Sequence, residues 1–278
     1  MSKNKVDTKE IGLDIGLIFL GYFLKTDYLH YGYWKDNLTP DIANLKQAQE
    51  NYTQLLFEYI PAGVKQILDV GCGSGRVAYE LVQSGYQVEA VSPSQRLSAH
   101  AYKLLGNDFQ IYQGKYEEVK IEKQYDLVLF SESFQYIPME ISLQKSYDLL
   151  RPNGYVLICD FFQTEAEGKS PLGGGHKWKA FETLLSTLPY KIIHNLDITA
   201  EIAPTMTVVN DFTLRVIQPS WYMLLEILET KLPFIAKILK WKYKKKLEKL
   251  HNKHFKGERN AENFMKYKTY RLLVLQKQ

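Results

Sequence analysis

The chain of 278 residues is 45% hydrophobic, which is enough to build one large domain with a full core. Its formal net charge of +4 does not by itself indicate a nucleic-acid-binding protein, because such surfaces depend on clustered charge. The two cysteines, Cys72 and Cys159, exclude a disulfide framework and a paired-thiol metal motif. We therefore expect a reducing, cytoplasmic setting and no metal site.

The first apolar segment, IGLDIGLIFLGYFL at residues 11–24, contains Asp14 and is too short to span a bilayer. We expect an amphipathic helix in a cap, with an interfacial membrane anchor as the alternative. The next segment, YLHYGYW at residues 28–34, places five aromatic or histidine side chains within seven residues. So much apolar area needs a partner, which is either a ligand under a lid or the core itself.

A helix is predicted ahead of the first strand. Thr39 stands at its N-cap and Pro40 at its first helical position. Helical spacing then places six apolar residues on one face, which we expect to pack on a sheet: Ile42, Leu45, Tyr52, Leu55, Leu56 and Tyr59.

Short β-rich runs alternate with helical segments from Gln66 to Asp160. The runs are QILDV, QVEAV, DFQIY, YDLVLF and GYVLICDF. Alternation at this spacing predicts a doubly wound, mostly parallel, Rossmann-like α/β sheet with helices on both faces. Two later runs, YKIIHNLDI and KTYRLLVLQK, bring the expected number of strands to seven.

The alternation stops after Asp160. A glycine-rich loop follows (QTEAEGKSPLGGGHKW), and a long helical segment from about Pro219 to His254 is predicted to kink at Pro233. We expect three parts within one continuous domain: a helical N-terminal lid at residues 1–60, a cofactor-binding core at 61–165 and a substrate cap at 166–278.

The first β-rich run carries Asp69 near its end and is followed by Gly71, Gly73 and Gly75. Glycines directly after a strand let a ligand approach the backbone. A dinucleotide site would need its third glycine where Arg76 stands, and its pyrophosphate would be poorly served by Asp69. A ligand with an amino group and a sulfonium but no phosphate fits better; the alternative is a turn that only packs a helix on a strand.

The pattern Asp-x-Gly-x-Gly-x-Gly at residues 69–75 resembles motif I of the class I S-adenosylmethionine-dependent methyltransferases. The resemblance covers roughly residues 30–160 and implies S-adenosylmethionine as the cofactor. It also implies that Asp69 meets the ammonium group of the cofactor. The backbone from Gly71 through Cys72 to Gly73 would then lie against the amino acid part of the cofactor.

In that family the second strand normally ends in an acidic residue that binds the ribose, whereas Ser92 stands there in this chain. The departure is similar to a branch that includes cyclopropane fatty-acid synthases and tocopherol methyltransferases. The resemblance therefore implies ribose contacts from Ser92, Ser94 or Gln95. It further implies adenine contacts from Tyr116 and Glu117, for which a solvated turn is the alternative.

The segment FSESFQYIP resembles the Glu-Ser-x-x-His-x-Pro stretch of tocopherol-type enzymes, with Tyr136 in place of the histidine. By that resemblance Ser131 meets the cofactor, while Glu132 and Tyr136 face its methyl group and the substrate. The alternatives are a solvated glutamate and a tyrosine packed under the next helix. His30 and His176 are further candidates for a general base.

The aromatic segment at residues 28–34 resembles the His-x-Gly-Tyr/Phe-Tyr/Trp lid of the same branch. This implies that Tyr33 and Trp34 cover the cofactor and that His30 or Tyr31 faces the substrate. A plain aromatic plug between the cap and the core is the alternative.

Residues 237–256 carry nine lysines against one glutamate. They fit the solvated face of a cap helix or peripheral contact with an anionic membrane. A nucleic acid partner is not expected, because LFSES replaces the Asn/Asp-Pro-Pro-aromatic motif that amino-methylating nucleic-acid enzymes resemble there. We predict a methyltransferase for a small, lipophilic acceptor, with carbon, oxygen and nitrogen acceptors all open. The alternative is an inactive S-adenosylmethionine-binding module attached to a membrane or a partner.

Overall fold

A computed structural model of the protein describes residues 8–278, without the side chains of residues 8–11, 13 and 14. Its sheet has seven strands in the order β3-β2-β1-β4-β5-β7-β6, and β7 runs antiparallel to both of its neighbours. The predicted α/β class and strand number are therefore confirmed. The strands are β1 Gln66–Val70, β2 Gln87–Ser92, β3 Ile111–Gln113, β4 Tyr125–Ser131, β5 Leu150–Gln163, β6 Tyr190–Asp197 and β7 Lys268–Lys277.

Helices cover both faces of the sheet, precede β1, and fill most of the chain between β5 and β7. Short π-helical turns follow α1 and α8, and 3₁₀ turns precede α2 and α5. The α-helices are α1 Thr8–Phe19, α2 Leu45–Glu58, α3 Arg76–Gln83, α4 Gln95–Leu105, α5 Met139–Leu149, α6 Trp178–Leu185, α7 Thr199–Ile202, α8 Pro204–Phe212, α9 Gln218–Lys231, α10 Pro233–His254 and α11 Ala261–Tyr267.

The central strands are buried on both faces. Ile67 and Leu129 pack into the core on one side of the sheet, whereas their chain neighbours Leu68 and Phe130 pack into the core on the other. Successive side chains of a strand point to opposite faces, so a sheet covered on both sides needs continuous apolar strands. This is why QILDV and YDLVLF are apolar runs rather than alternating ones.

The helix ahead of β1 begins later than its sequence predicts. Asp41, in extended conformation, accepts a hydrogen bond from the backbone N–H of Ala43 at 2.8 Å, so Asp41 is the N-cap and Thr39 is not. Thr39 and Asp41 are both residue types that cap helices. The N-cap is the one whose side chain accepts from a free N–H group of the first turn, and that residue is Asp41. Four of the six residues predicted to pack on the sheet are buried, namely Leu45, Tyr52, Leu55 and Leu56, so the predicted face is confirmed for these four.

The long segment predicted as one kinked helix is two helices that fold back on each other. The chain breaks at Leu232, with φ −138° and ψ 58°, immediately before Pro233. The hydroxyl of Tyr222 in α9 then lies 3.0 Å from Nδ1 of His251 in α10. We call residues 218–254 the α9–α10 hairpin.

Within residues 8–278, no helix is both long and apolar enough to cross a membrane.

Candidate active site

A cavity of about 670 Å³ lies at the carboxyl ends of β1, β2 and β4. The chain order of the strands reverses between β1 and β4, and open α/β sheets bind ligands at such a reversal. Ten candidate site residues from the sequence line this cavity: His30, Asp69, Gly71, Cys72, Gly73, Ser92, Ser94, Ser131, Glu132 and Tyr136. Residues separated by more than a hundred positions therefore meet in one site.

Asp69 is the least satisfied polar group of the cavity wall. Its side chain is 2% exposed, and its Oδ2 has no hydrogen-bond partner among the described residues. Burial raises the pKa of this carboxyl to about 7. Because a buried charge without a partner is costly, this position suits a ligand with a cationic or hydrogen-bond-donating group.

The glycine loop after β1 packs closely against the residues that follow β4, and its first two N–H groups are already hydrogen-bonded within the protein. The N–H groups of Gly71 and Cys72 both donate to the carbonyl of Val91, at 2.8 and 3.3 Å. Gly71 has φ +80°, and a Cβ there would lie 2.6 Å from Cβ of Ser133. The loop can thus pass tightly over the end of β4 only with glycine at position 71.

Glu132 follows β4 with φ +54°, an unusual conformation for a residue with a side chain. Its Oε1 accepts hydrogen bonds from the backbone N–H of Tyr31 at 2.7 Å and from the hydroxyl of Tyr270 at 2.8 Å. Burial is the main reason that the pKa of this carboxyl rises to about 8. Glu132 is therefore a fixed, largely protonated acid at neutral pH and not a solvated one.

A chain of hydroxyl groups extends from Glu132 into the sheet. The hydroxyl of Tyr270 donates to Glu132 and lies 3.2 Å from the hydroxyl of Tyr52, which in turn lies 3.1 Å from Oγ of Ser131. Burial raises the pKa values of both tyrosines, so both stay protonated. Neither Tyr52 nor Tyr270 was predicted as a site residue, because strand and helix patterns mark each of them only as a core residue.

The turn that carries Tyr136 is held from below by Asp160. This buried carboxylate accepts hydrogen bonds from the backbone N–H of Gln135 at 2.9 Å and from its side-chain amide at 3.0 Å. Burial raises the pKa of Asp160 to about 7. His176 supports the same turn, since its Nε2 lies 3.1 Å from the carbonyl of Phe134 and 2.9 Å from that of Ile137.

His176 does not lie where a base for the acceptor was expected. Its Nε2 faces two carbonyl oxygens and therefore carries a proton, which leaves only Nδ1 as an acceptor in the neutral ring. His176 also does not line the cavity. The glycine-rich loop positions the turn of Tyr136 through this histidine.

His30 lines the cavity but is packed like a core residue. Its ring stacks on Tyr52 with centroids 4.3 Å apart, and its Nδ1 lies 2.8 Å from the carbonyl of Tyr31. Burial lowers the pKa of His30 to about 4. The ring is therefore neutral at pH 7, with Nδ1 donating and Nε2 left as the acceptor.

The lid predicted from Tyr33 and Trp34 does not lie over the cavity. Trp34 is 7% exposed, packs against Leu45 and Ala48, and donates from Nε1 to the hydroxyl of Thr205 at 2.8 Å. The backbone N–H of Tyr33 donates to Ala48 at 2.7 Å. These contacts make the pair an aromatic plug that fastens the N-terminal segment to α2 and α8.

The adenine contacts implied for Tyr116 and Glu117 also need correction. Tyr116 is buried, its hydroxyl lies 3.1 Å from Oγ of Ser146, and its ring meets Phe130 edge-on. Glu117 is half-buried but does not line the cavity. Because the ring of Tyr116 is packed in the core, it is not available to stack on an adenine in the cavity.

The three ribose candidates separate in the structure. Ser92 and Ser94 line the cavity, whereas Gln95 is exposed and lies outside its wall. Ser94 also caps α4, because its side chain accepts from the N–H of Leu97 at 3.2 Å. Ser92 is buried, and its hydroxyl lies 3.3 Å from the carbonyl of Ser94.

Residues that sequence reasoning missed complete the cavity wall. Tyr28 and Leu29 line it, and the hydroxyl of Ser74 donates to the carbonyl of Asp27, which ties the glycine loop to the N-terminal segment. Gly12 of α1 also lines the cavity, so α1 lies beside the opening where Trp34 was expected. The dense aromatic segment was the available signal, but its spacing does not tell which rings turn inward.

The fold and the site define a nucleoside-cofactor enzyme of the doubly wound type. A family described as a methyltransferase domain matches residues 43–197, more than half of the chain, and the chain belongs to this family. The predicted class, S-adenosylmethionine-dependent methyltransferase, and the predicted cofactor are thereby confirmed. The unpaired, buried Oδ2 of Asp69 fits the ammonium end of that cofactor.

Two relatives named as methyltransferases are similar in sequence. The one from Geobacillus sp. (strain WCH70) is 29% identical over 139 residues, which are 47% of this chain and 56% of the relative. The one from Staphylococcus carnosus (strain TM300) is 26% identical over 152 residues, which are 52% of this chain and 72% of the relative. The match to the Geobacillus protein thus spans little more than half of that protein.

Solved structures share the fold over almost the whole chain. A cyclopropane synthase from Mycobacterium tuberculosis has a TM-score of 0.67 at 15% identity, with 99% of this chain and 100% of that one covered. A geranyl diphosphate C-methyltransferase from Streptomyces coelicolor A3(2) has a TM-score of 0.67 at 11% identity, with 98% of this chain and 99% of that one covered. A 4+2 cyclase has a TM-score of 0.65 at 18% identity, with 97% of this chain and 94% of that one covered. Since one of these is a cyclase, the fold alone does not determine the reaction.

Proposed function

We propose that this chain transfers the methyl group of S-adenosylmethionine to a small, lipophilic acceptor. The observation that carries the proposal is the unpaired, buried Oδ2 of Asp69 beside the glycine loop. A carboxylate in this position pairs with an ammonium group, whereas it would repel the phosphates of a dinucleotide.

The cofactor end of the proposed site uses residues of three loops. Asp69 binds the ammonium group, and Gly71 to Gly73 let the amino acid part lie against the backbone. The hydroxyls of Ser92 and Ser94 are the proposed ribose partners. When bound, S-adenosylmethionine supplies a methyl group activated by its sulfonium. The chain's own contribution is to align the acceptor with that methyl group and to exclude water.

The acceptor end is proposed to lie near Glu132, Tyr136 and His30. Glu132 is held by two donors and is mostly protonated at neutral pH, so it orients a polar group of an acceptor by donating to it. Neutral His30 has Nε2 as its acceptor atom, 3.4 Å from the hydroxyl of Thr53. If the acceptor must lose a proton, the candidates are Nε2 of His30 and, at a pH near or above its pKa of about 8, the ionised form of Glu132.

The lipophilic character of the acceptor is supported by the composition of the cavity wall. Apolar and aromatic side chains from four different segments line it, namely Leu29, Val77, Leu97 and Tyr136. Two of the structurally similar proteins are named for geranyl diphosphate and for cyclopropane synthesis, which is an analogy of fold only. The acceptor atom, whether carbon, oxygen or nitrogen, is set by contacts within such a pocket.

The cofactor part of the proposal is tested by calorimetric titration of the whole chain with S-adenosylmethionine, S-adenosylhomocysteine and NAD. We expect the first two to bind. Asp69→Asn should weaken their binding on the order of 100-fold, because it removes one partner of a buried charge pair. Asp108→Asn, at an exposed position, is the matched control and should bind as the wild type does.

Transfer is tested by incubating the protein and methyl-labelled cofactor with a cell extract that is then separated by polarity. Label in the apolar fraction supports the proposal. Cofactor binding with no label in any fraction would instead favour the inactive binding module. Binding of NAD alone would overturn the assignment of the cofactor end.

A further inference from the structure

The α9–α10 hairpin exposes large apolar side chains that a water-facing helix pair would bury. Phe234 is 76% exposed and Trp241 is 81% exposed, and Met223, Leu224 and Ile227 are also exposed. Isolated exposed apolar residues are ordinary, but a continuous group of them on one element marks an interaction surface.

These side chains lie on the outer faces of both helices. Phe234, Ile238 and Trp241 follow one another at steps of four and three, so they form one stripe along α10. The inner face is occupied by the contact between α9 and α10, where Ala236 is buried and Tyr222 meets His251. The apolar stripe therefore cannot be satisfied within the hairpin.

The same stripe turns basic along the helix. Lys245 and Lys249 continue it at further steps of four, about 16 Å from Phe234 to Lys245 at the rise of an α-helix. Lys237 and Lys242 flank it, and all four lysines are exposed. An apolar end next to a basic end on one face matches the boundary between acyl chains and anionic headgroups.

A second exposed apolar strip lies on α1 and the turn that follows it. Ile15, Ile18 and Phe23 are exposed, while the ring of Phe19 packs 4.8 Å from that of Phe212 at the end of α8. A single π-helical turn, Thr213–Ile217, connects α8 to α9. This contact ties the helix that lines the candidate cavity to the part of the chain that carries the hairpin.

We propose that the outer face of the α9–α10 hairpin docks on an anionic lipid bilayer. Phe234, Ile238 and Trp241 enter the boundary between headgroups and acyl chains, and Lys242, Lys245 and Lys249 contact the anionic headgroups. A protein partner could cover the apolar stripe, but the cluster of lysines on the same face favours a negatively charged, extended surface. This inference stands independently of the proposed methyl transfer.

The test is flotation of the whole chain with vesicles of phosphatidylcholine alone and with 30% phosphatidylglycerol added. The wild type should float with the anionic vesicles at low salt and be released as salt is raised. The triple variant Lys242→Gln/Lys245→Gln/Lys249→Gln should lose on the order of 100-fold in partitioning. Each lysine near an anionic surface contributes about 1 kcal/mol, and about 1.4 kcal/mol corresponds to a factor of ten. The control exchanges three exposed lysines elsewhere: Lys65→Gln, Lys103→Gln and Lys120→Gln.

The apolar part of the surface is tested with Phe234→Ser/Trp241→Ser, against Ile141→Ser at another exposed position. Loss of flotation in the first variant only, with unchanged thermal melting, supports the proposal. Two results would overturn it: a wild type that stays in solution with anionic vesicles, or equal flotation of the hairpin and control lysine variants. A dimer that dissociates on Phe234→Ser/Trp241→Ser, without any vesicle binding, would also overturn it and would make the face a contact between copies.

Discussion

Asp69 makes cofactor affinity depend on pH in a predictable direction. Its pKa is about 7 in the ligand-free cavity, and an ammonium group binds only its ionised form. Below pH 7, binding must release a proton from this carboxyl, so affinity should fall by up to tenfold for each pH unit. Calorimetry between pH 5.5 and 7 in two buffers of different ionisation enthalpy measures both the affinity and the released proton.

The control for this prediction is Asp69→Asn, which cannot titrate at that position. Its weaker binding should change little between pH 5.5 and 7. His30, with a pKa of about 4, stays neutral over that range and adds no slope of its own. The same slope in Asp69→Asn as in the wild type would mean that another group pairs with the ammonium.

The aromatic segment at residues 28–34, before α2, allows a direct test of whether Trp34 is a core residue or a lid over the cavity. Because Trp34 is buried against Leu45, Ala48 and Val208, Trp34→Ala should lower the free energy of unfolding by about 3 kcal/mol. The cofactor affinity of the folded variant should stay within a few-fold of the wild-type value, because the indole does not line the cavity. Urea unfolding and calorimetry on the same preparation give both quantities.

Thr205→Val is the companion variant, since it removes the acceptor of the Trp34 N–H and keeps the shape of the side chain. It should destabilise the protein less than Trp34→Ala and leave affinity unchanged. A large loss of affinity with little loss of stability in Trp34→Ala would restore the lid interpretation.

How far the sequence predicts these elements depends on what each pattern encodes. The strands were predictable because buried parallel strands need continuous apolar runs, and β1 and β4 have them. The start of α2 was not, because Thr39 and Asp41 are both good caps and only the backbone path separates them. The sequence predicts a kink at Pro233 and not a reversal of direction, because a proline gives the position of a break and not the angle between the two helices.

The candidate site divides in the same way. Asp69 and the glycines were predictable, because a strand, a carboxylate and glycines at fixed spacing constrain each other locally. The surroundings of Glu132 were not, because Tyr270 comes from the last strand, 138 positions away. Trp34 and Tyr116 were misplaced for one reason: a resemblance gives the type of a side chain at a position but not the direction in which it points.

At the scale of the whole molecule, buried ionisable groups set how stability varies with pH. Burial raises the pKa values of Asp69 and Asp160 to about 7 and that of Glu132 to about 8. A carboxyl whose folded pKa is raised takes up protons more readily in the folded state, so it stabilises less as pH rises toward that pKa. His30 opposes this trend only below about pH 6.5, where the unfolded imidazole takes up a proton that the buried ring does not.

The ligand-free protein should therefore be less stable at pH 8 than at pH 6. Glu132 alone accounts for a loss of about 2 kcal/mol over that range, since a shift of one pKa unit corresponds to about 1.4 kcal/mol. Urea unfolding at both pH values checks this, with Glu132→Gln as the variant that loses the contribution. The fall in stability should be smaller in Glu132→Gln by about that amount, and an equal fall in the two proteins would show that Glu132 is already ionised at pH 6. The cofactor should reduce the fall in the wild type, because pairing with an ammonium removes the cost of ionising Asp69.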